Sequence, residues 1–446
     1  MVRFVRVSVG VIVVIPLLLQ GQEAFPVSLS ESIRIALANN PSIQISRSRV
    51  EDASLSRREA WGAFMPQIDV RSSTILDEKI RIIEMPSFLD PTQTTRLKLD
   101  FTYDYQADFS ITQPIFTGGK LTRGVQLAKS NLKVAEIDEL LARNDLALQV
   151  AQTYMGMLVA QEFLLVATEA YEIAEGFHQI TQQLFDEGLT SKLDLLQSEV
   201  QLANLLPRVT QAKNAVILAE AGLRTIIGIP DPRPLQLTDE LQYQPHEYSL
   251  EELLSEALGN RHELYQLDLR GQMGRYALSM ARSDYLPMVV LSGLYSTFGN
   301  ELGNYDQWED SYTVTMGLSF NLFNGGRRRT GVQKAQIAIR QAELGRRSLK
   351  DGIKLEVEGA YRTLVESEST VLSSEKTVAQ AEEAARLAQL RYREGTITSL
   401  QANQIQANLT NARANYTQAL FSYTLANIRI KKAVGRNLIE ELGVVQ

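Results

Sequence analysis

The chain repeats itself, and that repeat limits its fold more than any other feature. Residues 28–66 match residues 249–287 at an offset of 221, aligning Ser28-Leu29 with Ser249-Leu250, Ala36-Leu37 with Ala257-Leu258, Asn39 with Asn260 and Pro66 with Pro287. Beyond the prolines the offset drops to 207 and stays there. It then pairs Phe116-Thr-Gly-Gly-Lys120 with Phe323-Asn-Gly-Gly-Arg327, Gly124-Val-Gln126 with Gly331-Val-Gln333, Tyr154 with Tyr361, Glu187-Gly188 with Glu394-Gly395 and Gly228 with Gly435. A constant offset over so long a stretch means one supersecondary unit occurring twice. The change of offset falls between the prolines and the Phe-x-Gly-Gly motifs, so the first half carries the longer loop there.

Each unit reads as helix, strand hairpin, long helix and return helix. The opening helix covers about 29–61 and 250–283. The hairpins lie within 67–113 and 288–322, and the helical hairpins occupy 120–227 and 327–434, turning at Gly188 and Gly395. In the first long helix Leu146, Val150, Tyr154, Met157, Leu158 and Leu165 keep helical spacing. Their partners Ile353, Val357, Tyr361, Leu364, Val365 and Leu372 are all apolar or aromatic, so the buried face is duplicated too. A helix of such length extends about 100 Å at roughly 1.5 Å per residue. It outruns a single globular core and needs partner helices along its length, as in a coiled coil. The expected organisation is a signal peptide at 1–22, a first repeat at 23–228, a linker or equatorial segment at 229–248, a second repeat at 249–435 and a tail at 436–446. Pro207 stands inside the first return helix where the second has Ala414, which predicts a kink on one side only.

Residues 97–112 alternate without error. Leu97, Leu99, Phe101, Tyr103, Tyr105, Ala107, Phe109 and Ile111 are apolar or aromatic, and the residues between them are polar. Tyr312, Val314, Met316, Leu318, Phe320 and Leu322 repeat the pattern in the second half. Soluble sandwiches alternate as well. Here, however, the chain opens with Arg3 and Arg6 ahead of a 13-residue apolar stretch, Val7 to Leu19, which reads as an export signal and is short for a bilayer helix. No other segment reads as a membrane helix, so a membrane would have to be crossed by strands, apolar toward lipid and polar toward a lumen. Four strands cannot close around a lumen, and lipid does not tolerate an open sheet edge. Several chains must therefore pool their strands.

These residues resemble the TolC-like outer-membrane efflux family. The resemblance rests on Pro-Ile-Phe-x-Gly-Gly at 114–119 and its echo at 321–326, on the breaks at Gly188 and Gly395, on the closing Gly228 and Gly435, and on the duplicated order of elements over roughly 28–437. It implies a mainly α fold with a β-barrel portion: a homotrimer with a 12-stranded barrel in the bacterial outer membrane lipid and a helical tunnel in the periplasm. It also implies docking of the hairpin tips, Gly188, Leu189, Thr190, Gly395, Thr396 and Ile397, on a periplasmic adaptor (membrane fusion) protein that connects to an inner-membrane transporter. Glu187 and Glu394 depart from the apolar residue common before the tip glycine. At the pore entrance the resemblance points to Asp194, Tyr392, Gln401 and Gln404. Tyr392 matches the tyrosine of the family's closing network. Gln401 and Gln404 are amides where better-known members carry acids, which speaks against a cation-binding ring there, and Ile397 stands where an arginine link is expected. A ring of Asp194 carboxylates, one per chain, would narrow and charge the entrance; a solvated helical Asp past a turn is the plainer reading.

Little else in the chain suggests chemistry. It has no cysteine, so disulfides and thiolate sites are out, and its three histidines, His178, His246 and His262, lack metal-ligand spacing. A net charge of −7 argues against nucleic acid as the main partner. No P-loop, dinucleotide fingerprint or nucleophile elbow occurs. The expectation is a passive conduit without enzyme activity or cofactor, belonging to a tripartite efflux or type I secretion system. The alternative is a periplasmic coiled-coil adaptor or scaffold anchored by residues 7–19.

Overall fold

The computed structural model describes residues 25–76, 81–86, 94–99, 103–229 and 233–444. The expected signal peptide lies outside these. The first repeat opens with β1 (Phe25–Val27), α1 (Leu29–Asn39) and α2 (Pro41–Gly62), followed by β2 (Gln67–Thr74), β3 (Arg81–Pro86), β4 (Thr94–Leu99) and β5 (Tyr105–Phe116). The helical hairpin of α3 (Lys120–Asp186) and α4 (Lys192–Ile227) comes next, then β6 (Leu235–Leu237). The second repeat holds α5 (Leu250–Asn260), α6 (His262–Ser283), β7 (Met288–Gly299), β8 (Glu309–Ser319), α7 (Arg327–Arg393) and α8 (Ser399–Ala433), with α9 (Leu438–Glu441) closing the chain.

Three expectations need correction. The opening helix is two helices in each repeat. Asn40 leaves the helical region and caps α2 through its side chain, and Pro41 takes the first position, where its missing N–H costs nothing. Arg261 makes the same break in the second repeat without a proline. Secondly, the alternating run 97–112 is not one strand: Leu97 to Leu99 belong to β4, while β5 begins at Tyr105 and continues past 113 to Phe116. The longer first loop carries a hairpin of its own, with Ile83 opposite Leu97. Thirdly, α3 contains an 18-residue window apolar enough to cross a membrane. Its apolarity has another cause: α3 packs against α1, α2, α4, α6 and α8 and is covered from several sides. The helix α4 runs through Pro207 as a single element.

Two hydrophobic cores reproduce the duplication. One joins Ile33, Ile43, Val150, Tyr154, Met157, Leu223 and Ile227 with Leu438 and Ile439 of α9. The other joins Leu253, Leu264, Ile353, Val357, Leu364, Tyr423 and Ile430. Around the first core β1 and β6 pair in parallel, and the Tyr154 hydroxyl donates to the Val27 carbonyl at 3.0 Å and to Asp239 Oδ2 at 2.7 Å. Burial and the Asp239 carboxylate push that phenol well above its usual pKa. The segment after α4 and the C-terminal tail thus wrap the middle of the helices.

The large sheet has the order β2-β5-β7-β8 and is antiparallel throughout. Its two outer strands, β2 and β8, therefore run in opposite directions, and each leaves one edge unpaired among the described residues.

Candidate functional site

The register of the sheet sorts its residues by face. Val70, Phe109, Tyr295 and Tyr312 stand in one row across the four strands, and Ile68, Ile111, Gly293 and Val314 in the next. All four members of the first row are exposed, Val70 at 74% and Tyr312 at 82%. The opposite face carries Arg71, Asp108, Ser296 and Ser311 in one row, with Ser296 Oγ donating to Asp108 at 2.6 Å. An aromatic and aliphatic face left bare over four strands is unfavourable in water and suited to hydrocarbon, while the polar face suits a lumen.

At the other end, the long helices stop at Gly188 and Gly395. Both glycines have positive φ, 70° and 68°. The Leu189 and Thr396 amides reach back to the Leu184 and Arg391 carbonyls at 2.7 and 2.9 Å, which closes each helix with a left-handed cap. Leu189 is 70% exposed, Thr190 is half-buried and Thr396 is exposed with its hydroxyl on the Arg391 carbonyl. Ile397 packs instead into a small cluster with Phe177, Tyr392 and Ala402. An apolar contact therefore occupies the position where a charged link was expected.

The return helices start in matching capping boxes. Ser191 Oγ receives the Asp194 amide at 3.1 Å and donates to the Asp194 carboxylate at 2.6 Å, and Thr190 Oγ1 reaches the same carboxylate at 3.1 Å. In the second hairpin Thr398 Oγ1 receives the Gln401 amide at 3.3 Å, and Gln401 Oε1 accepts from the Thr398 amide at 3.1 Å. Asp194 and Gln401 are related by the 207-residue offset and do the same job on α4 and α8. The Ser191 hydroxyl, ahead of Thr190 and the Ser191 amide, holds the Asp194 carboxyl below the usual aspartate range. Gln404 points along α8 to Asn408 at 3.2 Å.

Tyr392 joins the two hairpins. Buried at the end of α7, it shares a 2.5 Å hydrogen bond with Thr181 of α3 and meets the Phe177 ring edge-on at 5.2 Å. Higher up, Arg413 of α8 binds Glu169 of α3 and, at 2.9 Å, Glu382 of α7. Neither Thr181 nor this ion-pair triad stood out in the sequence. The counterparts of Phe177 and Thr181 are Ala384 and Ala388, so the repeat itself gives no pointer to them. His178, one of the three histidines, places its Nδ1 2.9 Å from the buried Ser198 hydroxyl of α4.

Residues 32–229 and 253–436 match the family described as outer membrane efflux protein. The chain belongs to that family. Curated relatives include the alkaline protease secretion protein AprF of Pseudomonas aeruginosa, 26% identical over 70% of this chain and 64% of AprF, so the match spans less than two thirds of AprF. The pyoverdine export outer membrane protein OpmQ of Pseudomonas putida is 23% identical over 91% of this chain and 85% of OpmQ. The crystal structure of the CmeC outer membrane channel of Campylobacter jejuni superposes with a TM-score of 0.73 at 18% identity, covering 91% of this chain and 85% of CmeC, and shows that the fold is shared. Membership places the chain in the outer membrane, with its helices in the periplasm. The family consists of transport channels, and the scaffold alternative leaves the bare sheet face without a purpose.

Proposed function

We propose that this chain is the exit duct of a tripartite efflux or type I secretion machine: a homotrimer, passive in itself, opened at its periplasmic end by an adaptor and driven by an inner-membrane transporter. The observation that carries this reading is the sheet, with an apolar exposed face and two free edges of opposite direction. When the β8 edge of one copy meets the β2 edge of the next, pairing stays antiparallel all the way round, a head-to-tail contact that closes into a ring. Two copies would give a barrel of about eight strands, whose interior is just filled by side chains. Three copies of a four-stranded sheet are the smallest ring with an open lumen.

The tips are where such a duct would be opened. Leu189, Leu193 and Leu400 are exposed there with the capped turns around them, and offer an apolar docking surface to a helical adaptor. Separation of the hairpins has to break the Thr181–Tyr392 bond and the Glu169–Arg413 pair, since both tie α3 to the second hairpin. The test is single-channel conductance of detergent-purified protein in planar bilayers, with mass measured in the same detergent. The expected result is a trimer of low conductance whose pore opens wider when Tyr392→Phe and Arg413→Ala are combined. A detergent-soluble monomer without conductance would overturn the reading.

A further inference from the structure

Between the bare sheet and the helices lies a band with a charge unlike the rest of the chain. It comprises the end of α2 with its turn (57–66), the end of β5 with the start of α3 (113–124), the end of α6 (275–287) and the segment from Phe320 into α7 (320–334). These segments hold ten basic residues and two acidic ones in a chain of net charge −7. The basic residues are Arg57 and Arg58, Lys120 and Arg123, Arg275 and Arg282, Arg327 to Arg329, and Lys334. Among the described residues only Lys120 of these ten reaches a carboxylate, that of Asp284 at 2.9 Å. Arg328 lies over the Tyr285 ring at 4.8 Å and donates to the Leu322 carbonyl at 3.0 Å, which fixes it beside the apolar end of the sheet.

The same band exposes Trp61, Met65, Phe116, Leu322 and Phe323. Phe116 pairs with Val289, which pairs with Leu318, so the lipid face of the barrel runs into this band. Exposed aromatics mark the level of a membrane–water interface. Cations in the first turn of a helix oppose its dipole, so local helix preference does not explain Arg327, Arg328 and Arg329. Arg327 donates to the Asn324 carbonyl and Arg328 to the Asp284 and Leu322 carbonyls, and among the described residues none of the three reaches a carboxylate.

We infer that this band is a collar for the headgroups of acidic phospholipids in the periplasmic leaflet of the outer membrane, with Arg327, Arg328 and Arg329 as its centre. The inference rests on the outer-membrane reading and adds to it a lipid preference. The aromatic residues set the depth, and the guanidinium groups meet phosphate in the fork geometry that suits them. The opposite end of the sheet has the reverse sign: Glu301, Asp306, Glu309 and Asp310 flank the β7–β8 turn. Anionic lipid is thereby drawn to one rim of the barrel only, and the collar also fixes the depth and sense of insertion.

The test uses the purified full-length oligomer, titrated with phosphatidylglycerol or with phosphatidylethanolamine of the same acyl chains and read by native mass spectrometry. Each basic side chain near an anionic surface is worth about fivefold in affinity, so Arg327→Gln, Arg328→Gln and Arg329→Gln together should weaken phosphatidylglycerol binding on the order of 100-fold and leave phosphatidylethanolamine unchanged. Arg340→Gln, Arg347→Gln and Lys354→Gln serve as the control. They lie roughly 20 to 40 Å further along α7 by helical rise, beyond a screening length of about 8 Å, and should change nothing. Should the triple variant misassemble, Arg57→Gln with Arg282→Gln gives a smaller loss in the same direction. Equal affinity for both lipids, equal loss in the control, tighter binding of lipopolysaccharide than of phosphatidylglycerol, or undiminished binding in the collar variants would each overturn the collar. Conductance of the wild-type protein separates the two ideas: a conducting pore without lipid preference sinks the collar alone, and a non-conducting protein sinks the duct.

Discussion

At the scale of single residues, the two repeats solve one problem with different side chains. Asn40 and Arg261 correspond through the first offset, and Ile226 and Ala433 through the second. Asn40 Nδ2 donates to the Ile226 carbonyl at 2.9 Å, and Arg261 Nη1 donates to the Ala433 carbonyl at 3.0 Å. Each ties the break between the two opening helices to the end of a return helix, where carbonyls lack helical partners. Arg261 also holds Glu263 and Glu356, both at 3.0 Å, and its side chain is only 10% exposed. Arg261→Ala should therefore destabilise by about 2 to 3 kcal/mol and Asn40→Ala by about 1 kcal/mol, as expected for charged and neutral hydrogen bonds. Thermal unfolding of the detergent-solubilised protein checks the order; an equal effect at both sites would refute it. The Asn40-Pro41 pair signals a cap, although the expectation of one helix over 29–61 passed over it. Arg261 gave no such signal, since its partner Glu356 is 95 residues away. Tyr392 offers a second residue-scale test. Tyr392→Phe keeps the ring against Phe177 and removes one hydrogen bond per chain, worth about 1 kcal/mol. Basal conductance should rise several-fold with no change in oligomer mass; unchanged conductance would mean that the Thr181 contact is not a latch.

At the scale of elements, the starts of α4 and α8 have one geometry and different titration. The capping box of α4 depends on the Asp194 carboxylate, that of α8 on the Gln401 amide. The folded Asp194 pKa is lowered, so its contribution is fully present above the ordinary aspartate value. It is lost as pH falls from that value through the depressed one. Hydrogen exchange should therefore show residues 189–197 losing protection in that acid window while residues 396–404 keep theirs. Asp194→Asn should abolish the difference, because an amide cap does not titrate. Equal loss in both tips would rule out the carboxylate as its source. The long helices were legible because apolar residues keep helical spacing from Leu146 to Leu165 and from Ile353 to Leu372, although Leu165, Val365 and Leu372, expected on the buried face, are exposed; the tips were legible because glycine alone among common residues takes positive φ without cost. The strand boundaries were harder. Alternation carries on across the β4–β5 connection, so the pattern from Leu97 to Ile111 hides the fact that Leu97 pairs with Ile83 and Ala107 with Ser72. Periodicity reports which side a residue faces and is silent about its partner strand.

At the scale of the whole molecule, the free edges of β2 and β8 make the strongest demand. In water such edges invite aggregation; in lipid every unpaired backbone group costs several kcal/mol. The helices repeat the demand on the same flanks, since α7, which follows β8, exposes Ile337, Leu344, Leu355, Val365 and Leu372, and α4 exposes Leu193, Val200, Ile217 and Leu218. A neighbouring copy would cover both sets at once. The strand seam can be tested apart from the helical one. Successive residues of a strand direct their N–H groups alternately to the two sides, and proline has none to give. Of the two double variants Thr313→Pro with Thr315→Pro and Val314→Pro with Met316→Pro, one removes two donors facing β7 and the other removes two donors on the free edge. The first should damage the sheet within the chain. The second leaves the chain folded but, in the proposed ring, strands two acceptors on each neighbouring β2 inside the membrane, at several kcal/mol apiece, at every seam. Helix burial would have to outweigh that loss for the ring to survive. The expected outcome for this variant is unchanged helical circular dichroism, a monomer mass in detergent and no conductance. If both variants stay trimeric and conduct, the β8 edge is not where the copies join.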